Sequence, residues 1–247
     1  MGRIEPLYLL YVFLASAAGG LVQTATGFGF GVIVMLVFPL FLPVVQAAAL
    51  SGLISLFHNA VMVAKNRRHV RLRAVWLPTV IYTAVSIACI QIAKRADIAG
   101  LKAWFGLFLI AAALYFIFFS RRVRLTANVP AAVICSSISG AAGGFFGIGG
   151  PPMVPYYLAA VGDDKLAYLA TIQMFFGLTN ISGTAARALS GIMTFELAVC
   201  AVPGFAGLLL GTGIGMKIVN RIHAEQMKTI IYYFLAVAGL VTFLTNI

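Results

Sequence analysis

Gln173, Asn180, Thr184 and Arg187 recur at intervals of seven, four and three within a mostly apolar run. On a helix that spacing places all four on one face. Two amides, a hydroxyl and a guanidinium stacked on one face can supply hydrogen-bond donors to an anion that has left water. Ser55, Asn59 and Asn66 repeat the arrangement earlier in the chain, with His58 beside them. Polar groups at membrane depth usually face a bundle interior or a wet cavity. Two readings therefore stand for Asn59 and Asn180: ligands, or interhelical hydrogen bonds that hold a bundle together at about 0.6 kcal/mol each. Arg187 is either a ligand or a side chain that snorkels to the surface. His58 is the titratable residue that falls clearly inside an apolar run, as a packing histidine or as a proton-linked group.

The second chemical signal is backbone. Gly27-Phe28-Gly29-Phe30-Gly31 interrupts one long apolar stretch. Gly143-Gly144-Phe145-Phe146-Gly147-Ile148-Gly149-Gly150-Pro151-Pro152 interrupts another. Glycine and proline at this density break a helix. A half-helix beginning after each break would present free N–H groups and its positive dipole end. Pro151 or Pro152 suits the first turn of such a helix. Two N-termini meeting near the midplane form an anion site without a buried lysine. Gln23, Thr24 and Thr26 lie beside the first break and add donors. The candidate substrate-binding set is therefore Gln23, Thr24, Thr26, Gly27, Gly29, Gly31, Asn59, Gly147, Gly149, Gly150, Pro151, Gln173, Asn180 and Arg187. The plainer alternative is that the glycines only let helices pack closely.

These residues need elements to hold them, and composition says where those elements sit. The chain has 247 residues, 62% hydrophobic and 9% charged, with a mean hydropathy of +1.03. Soluble domains are about 45–50% apolar and about 25% charged. A soluble enzyme, a nucleic-acid module and a disordered tail are excluded together. The net charge of +11 falls mostly in loops, where it sets orientation and meets lipid headgroups. A transmembrane helix takes about 20 residues, so the length accommodates about eight apolar segments with short loops. The runs do not alternate polar with apolar, which favours helices over barrel strands. Arg3 before the first run resembles a signal peptide, but no cleavage site follows, and the run reads as a retained span. Cys89, Cys135 and Cys200 are odd in number, lack metal spacing and read as small buried hydrophobes. Neither a metal nor a cofactor is expected.

The two broken stretches also match one another. Ser16, Gly20, Gly27 and Gly29 align with Ser136, Gly140, Gly147 and Gly149; Ala49, Asn59 and Ala64 align with Ala170, Asn180 and Ala185. Lys102, Phe108, Leu109, Ala112 and Leu114 align in turn with Lys228, Phe234, Leu235, Ala238 and Leu240. The expected architecture is an all-α polytopic membrane protein of two repeats, 1–124 and 125–247, joined at Arg121-Arg122-Val123-Arg124. If every segment crosses once, Lys and Arg divide almost evenly between the two sides. If each broken stretch enters and returns as a hairpin, the repeats become inverted. Lys65–Arg73, Arg121–Arg124 and Lys217–Lys228 then gather on the cytoplasmic side, with both termini outside. Each repeat is thus a glycine-broken helical hairpin followed by three transmembrane helices. Paired breaks of this kind point to a transporter's substrate site.

With these motifs the chain resembles the sulfite exporter TauE/SafE family over nearly its whole length. The stretch from Gly140 to Pro151 is the most specific part, and Gln23-Thr24-Ala25-Thr26-Gly27-Phe28-Gly29 is close to the family pattern. Pro151-Pro152 departs from the glycine and small apolar residue that often follow the second motif. The resemblance implies a multi-pass permease of the bacterial inner membrane for a small sulfur-containing or organic anion such as sulfite, sulfoacetate or a related sulfonate. An inside-negative potential drives a monovalent anion outward by about 2.3 kcal/mol per 100 mV, which favours export. Glu5, Asp97, Asp163, Asp164, Glu196 and Glu225 fall at predicted ends or loops, and paired carboxylates at depth are lacking, so an intramembrane enzyme is not expected. A channel or uptake carrier for another anion or a neutral solute is the rival reading. The expected partners are the anion and the lipid bilayer, with no nucleic acid; a homodimer is one arrangement that the sequence leaves open.

Overall fold

The computed structural model describes residues 6–115, 125–218, 236–237 and 239–245. Among the described residues the chain is helical and has no strand. Its helices are α1 (Pro6–Thr26), α2 (Phe30–Val37), α3 (Val44–Asn66), α4 (Leu72–Arg95), α5 (Ile98–Leu114), α6 (Val129–Phe146), α7 (Met153–Val161), α8 (Lys165–Leu189), α9 (Phe195–Val199) and α10 (Ala201–Ile218). Arg3, the basic turn Arg121–Arg124, residues 219–228 of the last basic loop, and Phe234, Leu235 and Ala238 of the repeat alignment lie outside the described residues.

Among the described residues, five segments are long and apolar enough to cross a membrane: Pro6–Thr24, Val44–His69, Leu72–Arg95, Val129–Phe146 and Phe195–Lys217. Their outer faces leave Leu14, Trp76, Val80, Ile134, Ile138 and Val202 exposed, a surface that only lipid satisfies. The chain is thus an all-α multi-pass membrane protein. α8 has 25 residues but is not one of the five. It carries Gln173, Asn180 and Arg187, and α3, α4 and α7 enclose it, as a polar helix in a membrane requires.

Short polar side chains start several helices. Asp97, Asn128, Asp164 and Thr194 each accept a hydrogen bond from a backbone N–H two or three residues into α5, α6, α8 and α9, the usual N-cap chemistry. Asp97 and Asp164 are therefore placed at helix starts, as carboxylates that stay out of the bilayer centre.

Glycine ends the two helices that precede the breaks. α1 runs to Gly27 at φ +82° and α6 to Gly147 at φ +68°. Both adopt the left-handed conformation that terminates a helix without a side-chain penalty. A short helix follows in each case, eight residues in α2 and nine in α7.

The long helices pair closely. α1 packs on α10, α4 on α6 and α3 on α8. A Cβ on Gly207 or Gly211 would overlap the backbone carbonyl of Phe13 or Ala17 in α1. A Cβ on Gly140 or Gly144 would lie 2.8 Å from the Tyr82 carbonyl oxygen or 2.6 Å from that of Ser86. Close packing is thus the role of these glycines, since without a hydrophobic force between helices in lipid, backbone proximity supplies the contact.

Candidate functional site

The two α3- and α8-borne polar faces meet. α3 and α8 lie against each other, and Ser51, Ser55 and Asn59 of the first oppose Thr179, Asn180 and Arg187 of the second around one cavity. The glycine breaks close it: Gly29, Gly31 and Val32 from the first, Gly147, Ile148, Gly149 and Gly150 from the second. Its volume is about 60 Å³, well above the roughly 10–15 Å³ that a cavity needs to hold a water. Phe28 and Phe176 flank Gly150, 3.6 and 3.5 Å from where its Cβ would be, and give one wall an apolar character. Among the described residues, no Asp or Glu lines the cavity.

Arg187 is the charge in this site. It is 5% exposed, so the snorkelling alternative does not hold: its position in the last turn of α8 directs it into the bundle rather than to the surface. Its Nη2 donates to the carbonyl oxygens of Gly143 at 2.8 Å and Gly144 at 3.1 Å. Those carbonyls belong to the C-terminal turn of α6, where the helix dipole is negative. Nε is buried with no partner, and among the described residues no carboxylate pairs with the guanidinium. A buried cation without a counter-ion costs several kcal/mol, a cost that a bound anion removes.

Beside it runs a chain of amides. Gln23 Nε2 donates to Asn59 Oδ1 and to Gln173 Oε1, each at 3.2 Å. Gln173 Nε2 donates to the Gly27 carbonyl at 3.0 Å. This chain ties α1, α3, α8 and the first break together. It leaves Asn59 Nδ2 buried without an acceptor while Asn59 lines the cavity.

Of the residues predicted from sequence, Gln23, Gly29, Gly31, Asn59, Gly147, Gly149, Gly150, Asn180 and Arg187 line the cavity. Gln173 stands behind it, orienting Gln23 and the Gly27 carbonyl. Gly27 turns the chain at the end of α1 but does not line the cavity. Thr24 is turned aside: its hydroxyl donates to Gly20 O one turn back, at 2.7 Å. The Thr26 side chain lies outside the described residues. Asn66, on the same α3 face by spacing, donates to Met62 O at 3.1 Å and stays clear of the site.

The second break differs from the expected helix start. α7 begins at Met153, and the N–H groups of Met153 and Val154 both donate to Gly150 O. Pro151 and Pro152 have no N–H, and Pro151 does not line the cavity. α7 therefore offers no free N-terminus there; the Gly147–Gly150 loop faces the cavity instead. In the first break the expectation and the geometry coincide more closely, because Gly31 and Val32 of α2's first turn are wall residues.

His58 is buried on the far side of α3, with Nδ1 3.2 Å from Thr212 Oγ1 of α10 and Nε2 unpartnered. It does not line the cavity. Cys89, Cys135 and Cys200 are free and buried, and no group of metal-ligating side chains occurs among the described residues.

Tyr82 and Ser86 also line the cavity and were not read from the sequence. They stand four residues apart on α4, one face of an apolar helix, and that spacing was the available signal. Ser51 and Thr179 were missed in the same way, because hydroxyl residues in apolar runs commonly satisfy themselves on the preceding turn, as Thr179 does on Phe175 O at 2.9 Å.

A family model, Sulfite exporter TauE/SafE, matches residues 12–242. No curated protein and no solved structure matches the chain.

Proposed function

The chain belongs to the sulfite exporter TauE/SafE family, membrane transporters of sulfite or related anions and not enzymes, and from that premise we propose that it exports a small sulfur-containing or organic oxyanion through the cavity between its two glycine breaks. The observation that carries this reading is Arg187, a buried guanidinium on the cavity wall with no carboxylate partner among the described residues. Asn59 Nδ2, unpartnered on the opposite wall, supplies a second donor. A site with these donors, and with no carboxylate among the described residues, repels cations and offers a neutral solute nothing for the charge.

Two repeats, 1–124 and 125–247, frame the site in this proposal. The helix order supports it: a long helix ended by a left-handed glycine, a short helix, then a long polar-faced helix occurs twice. Partner exchange supports it further. α1 of the first half packs on α10 of the second, α6 of the second packs on α4 of the first, and the equivalent helices α3 and α8 pair with each other. A pseudo-twofold axis through the α3–α8 contact would produce all three pairings. Rocking of one half on the other about that axis would expose the cavity to each side in turn. In the bacterial inner membrane the inside-negative potential would drive the export.

Sulfite efflux from loaded proteoliposomes tests this reading. Arg187→Gln should reduce the flux by at least about tenfold, the loss expected when a charge-assisted hydrogen bond is removed. Undiminished efflux from a folded Arg187→Gln protein would show that the anion passes elsewhere.

A further inference from the structure

Tyr82 reaches the cavity from α4 across a track of glycines. A Cβ on Gly140 would stand 3.1 Å from the Tyr82 Cα, and a Cβ on Gly143 or Gly149 would overlap the Tyr82 hydroxyl. Neither Gly143 nor Gly149 has a positive φ. Their lack of a side chain therefore serves the tyrosine rather than a turn. Phe175 fixes the ring from the other side, edge-on at 5.4 Å and 86°. The socket thus determines where the hydroxyl lies, in the cavity wall shared with Arg187.

No group among the described residues hydrogen-bonds to that hydroxyl. A phenylalanine would fill the same socket and make the same edge contact; the hydroxyl adds one polar atom to a residue of the cavity wall. Its partner is then to be sought among the cavity's contents.

We propose that the Tyr82 hydroxyl donates a hydrogen bond to the transported anion, taking one oxygen while Arg187 takes another, so that the site selects anions bearing at least two oxygens on one central atom. The proposal rests on the reading of this cavity as the transport site. Tyr82 and Arg187 come from different helices, α4 and α8, and the geometry they impose is a bridge that an oxyanion spans. Tyr82 is thereby a substrate-binding residue, and Gly143 and Gly149 are the residues that position it.

The test is Tyr82→Phe, measured as concentration-dependent sulfite efflux and as sulfite binding by calorimetry in detergent. Phenylalanine keeps the ring, the Phe175 contact and the fit to the glycines, so the melting temperature should not change. The expected result is a rise of about tenfold in both KM and Kd, the effect of removing one hydrogen bond to a charged group, with maximal rate retained. Wild-type KM and Kd, or a fall in rate alone, would overturn the proposal. Arg187→Gln run in parallel separates the two levels. If Arg187→Gln is inactive and Tyr82→Phe has wild-type affinity, the Tyr82 assignment falls and the cavity stands. If both behave as wild type, the cavity is not the site.

Discussion

At the scale of single residues, the site is organised by what lacks a partner. Arg187 Nε and Asn59 Nδ2 are buried and unsatisfied, whereas Gln23 and Gln173 are consumed in binding one another, Asn59 and the Gly27 carbonyl. In the proposed transport site this division would give the first pair to the anion and the second to holding the wall. Gln23→Leu tests the division. It leaves Asn59 Oδ1 and Gln173 Oε1 without their donor and should lower stability by about 1–3 kcal/mol, read as a drop in melting temperature in detergent. A variant as stable as the wild type would mean that the amide chain contributes nothing to the fold. The amides were legible in the sequence as polar residues on helical faces, but their roles were not. Spacing says which residues share a face, and says nothing about which of them already has a partner.

At the scale of elements, glycines do three separate jobs that look identical in the sequence. Gly27 and Gly147 end helices in the left-handed conformation. Gly143 and Gly149 make room for Tyr82, and Gly207 and Gly211 let α10 touch α1. Gly213, also in α10, has nothing within 4 Å of its Cβ position. Alanine at Gly211 should therefore separate α10 from α1 and cost folded yield and melting temperature. Alanine at Gly213 should be neutral or stabilising by up to about 1 kcal/mol, the difference in helix propensity. Equal melting temperatures for the two variants would remove the close-packing role. The expectation of two free helix N-termini shows the same limit. Two broken stretches were visible from composition, yet Gly150 O captures the first N–H groups of α7, and so the second break presents a loop instead of a helix end. Local sequence foretold the break but not the hydrogen bond that closed it.

At the scale of the whole molecule, the helices divide into a lipid-facing set and a polar central pair. α3 and α8 carry the site and sit against each other, with α4 and α6 packed alongside α8 and α3. An uncoupled carrier built this way should respond to voltage, because among the described residues no Asp or Glu lines the cavity to carry a proton along with the anion. Efflux of a monovalent anion from proteoliposomes should accelerate when a potassium gradient sets the interior negative, and slow when the sign is reversed. Each 100 mV is worth about 2.3 kcal/mol per charge, so the effect is easily seen. Rates indifferent to potential would argue for electroneutral exchange or for a neutral solute.

The sequence alone determined that this chain lives in a membrane, that it is helical, that two of its apolar stretches are broken, and that polar residues lie on the faces of two later helices. Each of these follows from composition or periodicity, which act over a few residues and need no knowledge of neighbours. The tertiary structure decided the rest. It turned Thr24 back to its own helix and His58 toward α10, drew Arg187 inward to the end of α6, and brought Tyr82 into the wall from a helix that no motif had marked. Those outcomes depend on which helix lies against which, and in lipid that is fixed by close contact between surfaces far apart in the chain.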